Sequence, residues 1–220
     1  MAKSHKIIKS KQRVADHGEV FTSEREVNAM LGLVQHETER IDSRFLEPAC
    51  GDGNFLVEIL RRKLEVVRGK YAKSQLEFER FSVTAIASIY GIDILEDNVE
   101  ACRSRLYNIF YETYASLYKK KCKDDCLSAI RFILSRNILL GDALSLKTVG
   151  KESTPIVFSE WSFARGSMVK RRDYAFEELI PNEKQKNDLF NKVQISDLGT
   201  PVFIPTPVKE FPLTHFLTLG

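Results

Sequence analysis

The sequence predicts an α/β protein built on a mostly parallel sheet flanked by helices. Short β-prone runs near 44–47, 89–93, 137–140 and 155–159 alternate with longer stretches of helical periodicity. Two of those runs end on an acid, Glu47 and Asp93. Between the first run and the helix after it stands a glycine turn, Gly51-Asp52-Gly53, so the local order is strand, turn, helix.

Each element has its own signal. Ser23 three residues ahead of Glu26 forms a capping box before Val27, Met30, Leu31 and Val34, which predicts a first helix running to about Arg40. Arg44-Phe45-Leu46-Glu47 reads as a brief strand. From Asn54 onward Phe55, Leu56, Ile59, Leu60, Leu64 and Val67 mark one helical face. Residues 74–88 read as a further helix feeding the strand Ile89–Asp93. Helices then fit 96–119 and 124–135, followed by strands at Asn137–Leu140 and Pro155–Ser159. Strands separated by helices predict parallel pairing with both sheet faces covered. After Ser159 come five of the seven prolines, Pro181, Pro201, Pro205, Pro207 and Pro212, which reads as a loop-rich tail. The expected organisation is an N-terminal segment 1–22, a domain 23–163 and a tail 164–220.

Composition bounds the function. The chain has 220 residues, 43% of them hydrophobic, enough for one domain with a real core. Its formal charge is only +3, so any basic surface must come from clustering. No apolar run approaches the roughly 20 residues that span a bilayer, and the basic N-terminus has no apolar stretch behind it, so the expectation is an untargeted cytoplasmic protein. Cys50, Cys102, Cys122 and Cys126 contain no Cys-x-x-Cys pair and the four histidines are scattered, so the expectation is reduced thiols and no metal.

In an open α/β sheet a ligand sits beyond the carboxyl ends of the strands, where a glycine turn admits it to the backbone and a helix offers free N–H groups. The dinucleotide fingerprint would place glycine three residues after Gly53, but Leu56 stands there, which weighs against a nicotinamide or flavin ligand. Asp93 is positioned to accept ribose hydroxyls, although 40 residues after Gly53 and not about 20; the helix at 74–88 fills the gap. Taken singly, the turn is also readable as a tight turn and the aspartate as a helix cap. Their combination argues for a nucleoside-bearing ligand.

These residues resemble a family, the S-adenosylmethionine-dependent amino-methyltransferases of DNA, in particular the modification subunits of restriction systems, over about residues 14–162. His17-Gly18-Glu19-Val20-Phe21-Thr22 is similar to the family's N-terminal motif, with Ser23 in place of its usual proline. The resemblance implies that Phe21 and Thr22 wrap the methionine end of S-adenosylmethionine. Leu46-Glu47-Pro48-Ala49-Cys50-Gly51-Asp52-Gly53-Asn54-Phe55 is close to the cofactor loop. It implies that Glu47 meets the ammonium, that Gly51 and Gly53 admit the cofactor, and that Ala49 and Phe55 lie beside it. Tyr90-Gly91-Ile92-Asp93-Ile94 implies Asp93 on the ribose and Ile94 on the adenine face. Gly141-Asp142-Ala143-Leu144 implies Asp142 on the adenine amino group, with Ala143 next to it. The motif order is that of the class methylating adenine N6, and the implied fold is Rossmann-like.

Family members hold the extruded base with an Asp/Asn-Pro-Pro-Tyr/Phe tetrad after the fourth strand. Here Ser159-Glu160-Trp161-Ser162 occupies that place, and no two prolines are adjacent in the chain. The catalytic residues are therefore unassigned, with Glu160 as an acceptor and Trp161 as a stacking surface the available candidates. The 57 residues after Phe163 would have to close the family's sheet and leave no room for a separate target-recognition domain, so an incomplete or atypical C-terminal part is expected, and a fragment, a partner-dependent subunit or a degenerate relative all fit; the expected partners are DNA, bound weakly, and a specificity, catalytic or restriction subunit. Lys170-Arg171-Arg172 reads either as solvated surface or as a phosphate contact. Two other readings stay open: a non-catalytic cofactor-binding or interaction subunit, and a methyltransferase acting on RNA or protein.

Overall fold

The computed structural model describes residues 9–17, 19–150, 152–180, 193–195, 201–203 and 205–220. It begins with α1 (Lys11–His17) and α2 (Glu24–Gly32). The capping box forms: the Ser23 hydroxyl accepts from Glu26 N–H, and the Glu26 carboxylate accepts from Ser23 N–H at 3.0 Å. The helix does not reach Arg40. Leu33 and Val34 donate to Met30 and Leu31 carbonyls three residues back, which tightens the last turn and closes it. A separate short helix, α3 (Gln35–Thr38), follows.

Next come β1 (Phe45–Glu47), α4 (Asn54–Tyr71), α5 (Gln75–Ala87), β2 (Ile89–Asp93), α6 (Glu96–Tyr118), α7 (Asp124–Asn137), β3 (Ile138–Asp142) and β4 (Lys147–Thr148). The sheet order is β1-β2-β3-β4, parallel through the first three strands and antiparallel at β4. Alternation along the strands sorts the two faces. Phe45, Ile89, Ile138 and Leu140 join the large core made with α4 to α7, whereas Tyr90, Ile92 and Leu139 pack with Ile156, Phe158 and Phe176. The four long helices therefore cover one face, and the later part of the chain covers the other.

One charged residue lies inside the apolar stripe of α4. Lys63 is fully buried, and its ammonium donates to the Ile41 carbonyl, the Ser43 carbonyl and the Ser88 hydroxyl, tying the start of β1 to the end of α5. Three acceptors match three donors, which is how a buried ammonium avoids an unpaired proton.

Beyond β4 the structure departs from the expected tail. β5 (Val157–Arg165) runs across the expected boundary at Phe163 and pairs antiparallel with β6 (Met168–Ala175). After α8 (Phe176–Leu179), a small hairpin pairs β7 (Val193–Ile195) with β8 (Pro201–Phe203), and β9 (Lys209–Glu210) and β10 (Thr214–His215) add to β6. Among the described residues β5 does not pair with the parallel sheet. The expected fourth parallel strand is instead the first strand of an antiparallel sheet laid against α5 and α7. Consequently β1, which leads into the glycine turn, pairs with β2 alone and forms an edge of its sheet among the described residues. No helix of the described residues is long and apolar enough to cross a membrane.

Candidate functional site

The chain leaves β1 at Glu47 and turns back into α4 within six residues. Two glycines with positive φ allow that turn: Gly51 at +53° and Gly53 at +92°. They do different jobs. A β-carbon on Gly51 would stand 2.9 Å from the Phe21 ring, so the absent side chain is what lets the N-terminal segment lie on the loop. A β-carbon on Gly53 would stand 2.6 Å from the Cys102 sulfur, so this glycine lets α4 start close against α6. From behind, Arg105 donates to the Asp52 carbonyl at 2.8 Å and to Asn54 Oδ1 at 2.9 Å, and pairs with the Asp52 carboxylate.

The end of β2 holds the same loop. Asp93 is buried and accepts three hydrogen bonds: from Gly51 N–H at 2.8 Å, from Leu95 N–H at 2.9 Å and from Asn98 Nδ2 at 3.1 Å. It therefore fixes the turn that leads into α6 and orients the glycine loop while facing the space beyond the strands. At the end of β3, Asp142 accepts from Leu144 N–H at 2.9 Å, and that bond, with one from Ser145, lowers its pKa. The N-terminal segment closes the other side, where Asn54 Nδ2 donates to the Thr22 carbonyl at 3.0 Å.

These parts enclose a cavity of about 550 Å³. Phe21, Thr22, Glu47, Ala49, Gly51, Phe55, Asp93, Ile94, Asp142 and Ala143 all line it. Gly53 does not; it supports the loop from within. Glu47 is partly buried there, and burial raises its pKa despite a hydrogen bond from Ala49 N–H. No cationic side chain forms an ion pair with Glu47 among the described residues. A desolvated carboxylate on a cavity wall favours a cationic ligand group. The cavity thus offers a carboxylate at one end, a hydrogen-bonded aspartate in the middle, and the apolar Ile94 and Ala143 beside Asp142 at the other. That arrangement suits a ligand with an ammonium, a hydroxyl-bearing ring and a flat apolar base.

The other candidates lie elsewhere. Trp161 is buried, donates from Nε1 to Asn137 Oδ1 at 2.9 Å and meets Phe132 edge-on, so its ring is committed to the core. Glu160 pairs with Arg44 at 2.6 Å and with Arg172 at 3.5 Å. It lines a second cavity, of about 720 Å³, with Leu46, Tyr90, Phe158, Tyr174 and Phe176; Pro48 is common to both cavities. Ser159 donates to Asp173 at 2.7 Å. The three basic residues are each ion-paired within the chain: Lys170 pairs with Glu210 at 2.9 Å, Arg172 with Glu160 and Glu210, and Arg171 forms a two-pronged pair with Asp173 while lying over Phe211; Glu160 and Asp173 are shared with Arg44 and Arg136, so the cluster keeps a cationic excess.

Residues outside the sequence-based set also line the cavity, notably Glu19, Pro48, Asn54, Leu95, Asn98 and Leu144. Asn98 carries a signal of sorts, being an amide five residues after Asp93 on the first turn of a helix; its role is visible only once Glu19 is brought to it. Among the described residues no group of three or more His, Cys, Asp or Glu side chains is arranged to hold a metal. Comparison with protein-family models, with curated proteins and with solved structures finds no match to this chain.

Proposed function

We propose that the chain is an S-adenosylmethionine-binding, DNA amino-methyltransferase-like protein with a Rossmann-like core, nominally directed at adenine N6 and dependent on a partner for methyl transfer. The observation that carries this reading is the convergence of four separate stretches, 21–22, 47–51, 93–94 and 142–143, on one cavity whose half-buried Glu47 carboxylate forms no ion pair among the described residues. In this reading Glu47 takes the ammonium, the remaining acceptor capacity of Asp93 takes the ribose, Ile94 lies on the adenine face and Asp142 accepts from its amino group. The bound cofactor supplies an electrophilic methyl group on a sulfonium.

Dependence on a partner, such as a catalytic, specificity or restriction subunit, rests on two further features. Ser159, Glu160 and Trp161 are held by Asp173, Arg44 and Asn137, so the stretch standing where the family's tetrad would be is occupied structurally. The edge of β1 is also open among the described residues, with Leu46 exposed beside the second cavity. The same features favour, as a second reading, a cofactor-binding subunit without chemistry of its own. Labelled methyl transfer from S-adenosylmethionine to genomic DNA, with and without neighbouring gene products, separates the two. Transfer only in the presence of a partner supports the first reading, and cofactor binding with no transfer in any combination supports the second.

A further inference from the structure

The cavity wall formed by Glu19–Thr22 is held at its far end by the buried Phe21 ring and by the bond from Asn54 to the Thr22 carbonyl, and at its near end through charge. In α1 no residue is fully buried among those whose side chains are described. Arg13 instead grips two carboxylates at once: Nε and Nη2 donate to the two oxygens of Glu19 at 2.6 and 2.7 Å, and Nη1 and Nη2 donate to the two oxygens of Asp97 at 2.7 and 3.0 Å. Lys9 adds a bond to Asp97 at 3.0 Å and lies 5.7 Å from the centre of the Phe21 ring. Asp97 is on the first turn of α6, directly after the strand that ends in Asp93.

Asn98 connects this clamp to the cavity. It is buried, and its Nδ2 donates to Glu19 Oε1 at 2.7 Å and to Asp93 Oδ1 at 3.1 Å, while its Oδ1 accepts from Lys9 and Arg13. The carboxylate facing the ligand space and the carboxylate of the N-terminal wall thus share one amide. Fork-to-carboxylate pairs of this kind fix geometry as well as supply attraction.

We propose that Lys9–His17 and Glu19–Thr22 act as a strap over the ligand cavity, latched by Arg13 across Glu19 and Asp97, and that release of this latch sets how fast a bound nucleoside ligand leaves. The inference rests on the proposed cofactor reading for its ligand but not for the latch. Opening the latch frees Phe21 from Gly51 and exposes the cavity between Glu47 and Asp93; closing it buries the ligand.

Two measurements test it on the whole chain with the variants Arg13→Gln and Arg13→Lys. Amide hydrogen exchange of the ligand-free protein reads the strap alone. Exchange at Val14 and Glu19, whose N–H groups donate to the Ser10 and Arg13 carbonyls, is expected to quicken at least about 10-fold in Arg13→Gln, with α4 unchanged, and Arg13→Lys is expected to fall between Arg13→Gln and wild type because it keeps charge but loses the fork. Unchanged exchange at both amides overturns the latch. Stopped-flow displacement of S-adenosylhomocysteine reads the gate, with an expected rise of about 10-fold in dissociation rate and a smaller change in association rate. Equal dissociation rates in wild type and both variants overturn the gating role. A wild-type chain that binds no S-adenosylhomocysteine while its strap exchange still responds to Arg13 counts against the cofactor reading and leaves the latch standing.

Discussion

The carboxylate of Asp93 accepts the backbone N–H of Gly51 at 2.8 Å, so the end of β2 holds the turn that follows β1. A ligand hydroxyl at this position must share an aspartate that already accepts from Leu95 and Asn98. Removing the carboxylate is therefore expected to have two effects. Asp93→Ala should destabilise the fold by about 1–3 kcal/mol, through the unsatisfied N–H groups it leaves, and should weaken nucleoside binding by a similar amount. Thermal unfolding and calorimetry read the two effects separately.

Glu47 gives a pH dependence with a definite sign. Its pKa is raised by burial, so the folded state holds the proton more tightly than the unfolded chain does. As pH rises from the ordinary carboxylate pKa through the raised one, the unfolded chain ionises first and folding stability falls slightly. Affinity for an ammonium-bearing ligand moves the other way, growing as Glu47 ionises over the same interval. Glu47→Gln should remove that pH dependence and weaken binding by about 1–3 kcal/mol at neutral pH. Titrations at several pH values check both.

The two loop glycines are expected to fail differently. Gly53→Ala forces a β-carbon against Cys102 and a side chain into φ +92°, and should cost about 1–3 kcal/mol or more of stability. Gly51→Ala pushes on the Phe21 ring, which lies on the strap; its expected effect is a smaller loss of stability and a larger loss of binding. Comparing the two variants by denaturant unfolding and ligand titration checks this division.

Lys63 has its pKa lowered to about 7 by burial. Because its folded pKa lies below the unfolded value, the unfolded chain binds more protons between about pH 7 and pH 10.5, and stability attributable to this residue rises with pH across that window. Lys63→Met should abolish that slope and, near neutral pH, should destabilise by about 1–3 kcal/mol, chiefly through the Ser43 carbonyl that loses its donor, since the Ile41 carbonyl still accepts from Ser88 Oγ and Ser88 Oγ still donates to the Ala85 carbonyl. Chemical unfolding from pH 6 to pH 10 is the measurement.

The same reasoning marks what the sequence allowed and what it hid. The capping box at Ser23, the apolar stripe of α4, and the strand, turn and helix around Gly51 were readable because each is set by residues a few positions apart. The hairpin was not. Along β5, Phe158 faces the smaller cluster while Trp161 and Phe163, on the opposite face, join the larger one, so both faces carry buried apolar residues and no apolar–polar alternation marks the strand. The ion pairs of Lys170-Arg171-Arg172 were hidden as well: the acids that meet them include Glu160 and Glu210, which only strand pairing brings near. The edge position of β1 was equally hidden, since a periodic sequence reveals strands but not their order.

That pairing alters what charge reversal should do. Arg171→Glu places a carboxylate against Asp173 in a partly buried pair and should destabilise the hairpin by about 3 kcal/mol or more, whereas Lys170→Glu should change stability little. Binding to DNA, measured at low and high salt, should be lowered no more by Lys170→Glu than by reversal of an unrelated surface lysine.

Calorimetric titration of the folded chain with S-adenosylhomocysteine tests the central claim most directly, because this molecule carries the ammonium, ribose and adenine that Glu47, Asp93 and Asp142 are proposed to hold. One binding site is expected per chain, weakened by Glu47→Gln and by Asp93→Ala. A folded wild-type chain that gives no binding heat and no thermal shift with a large excess of the ligand would contradict it.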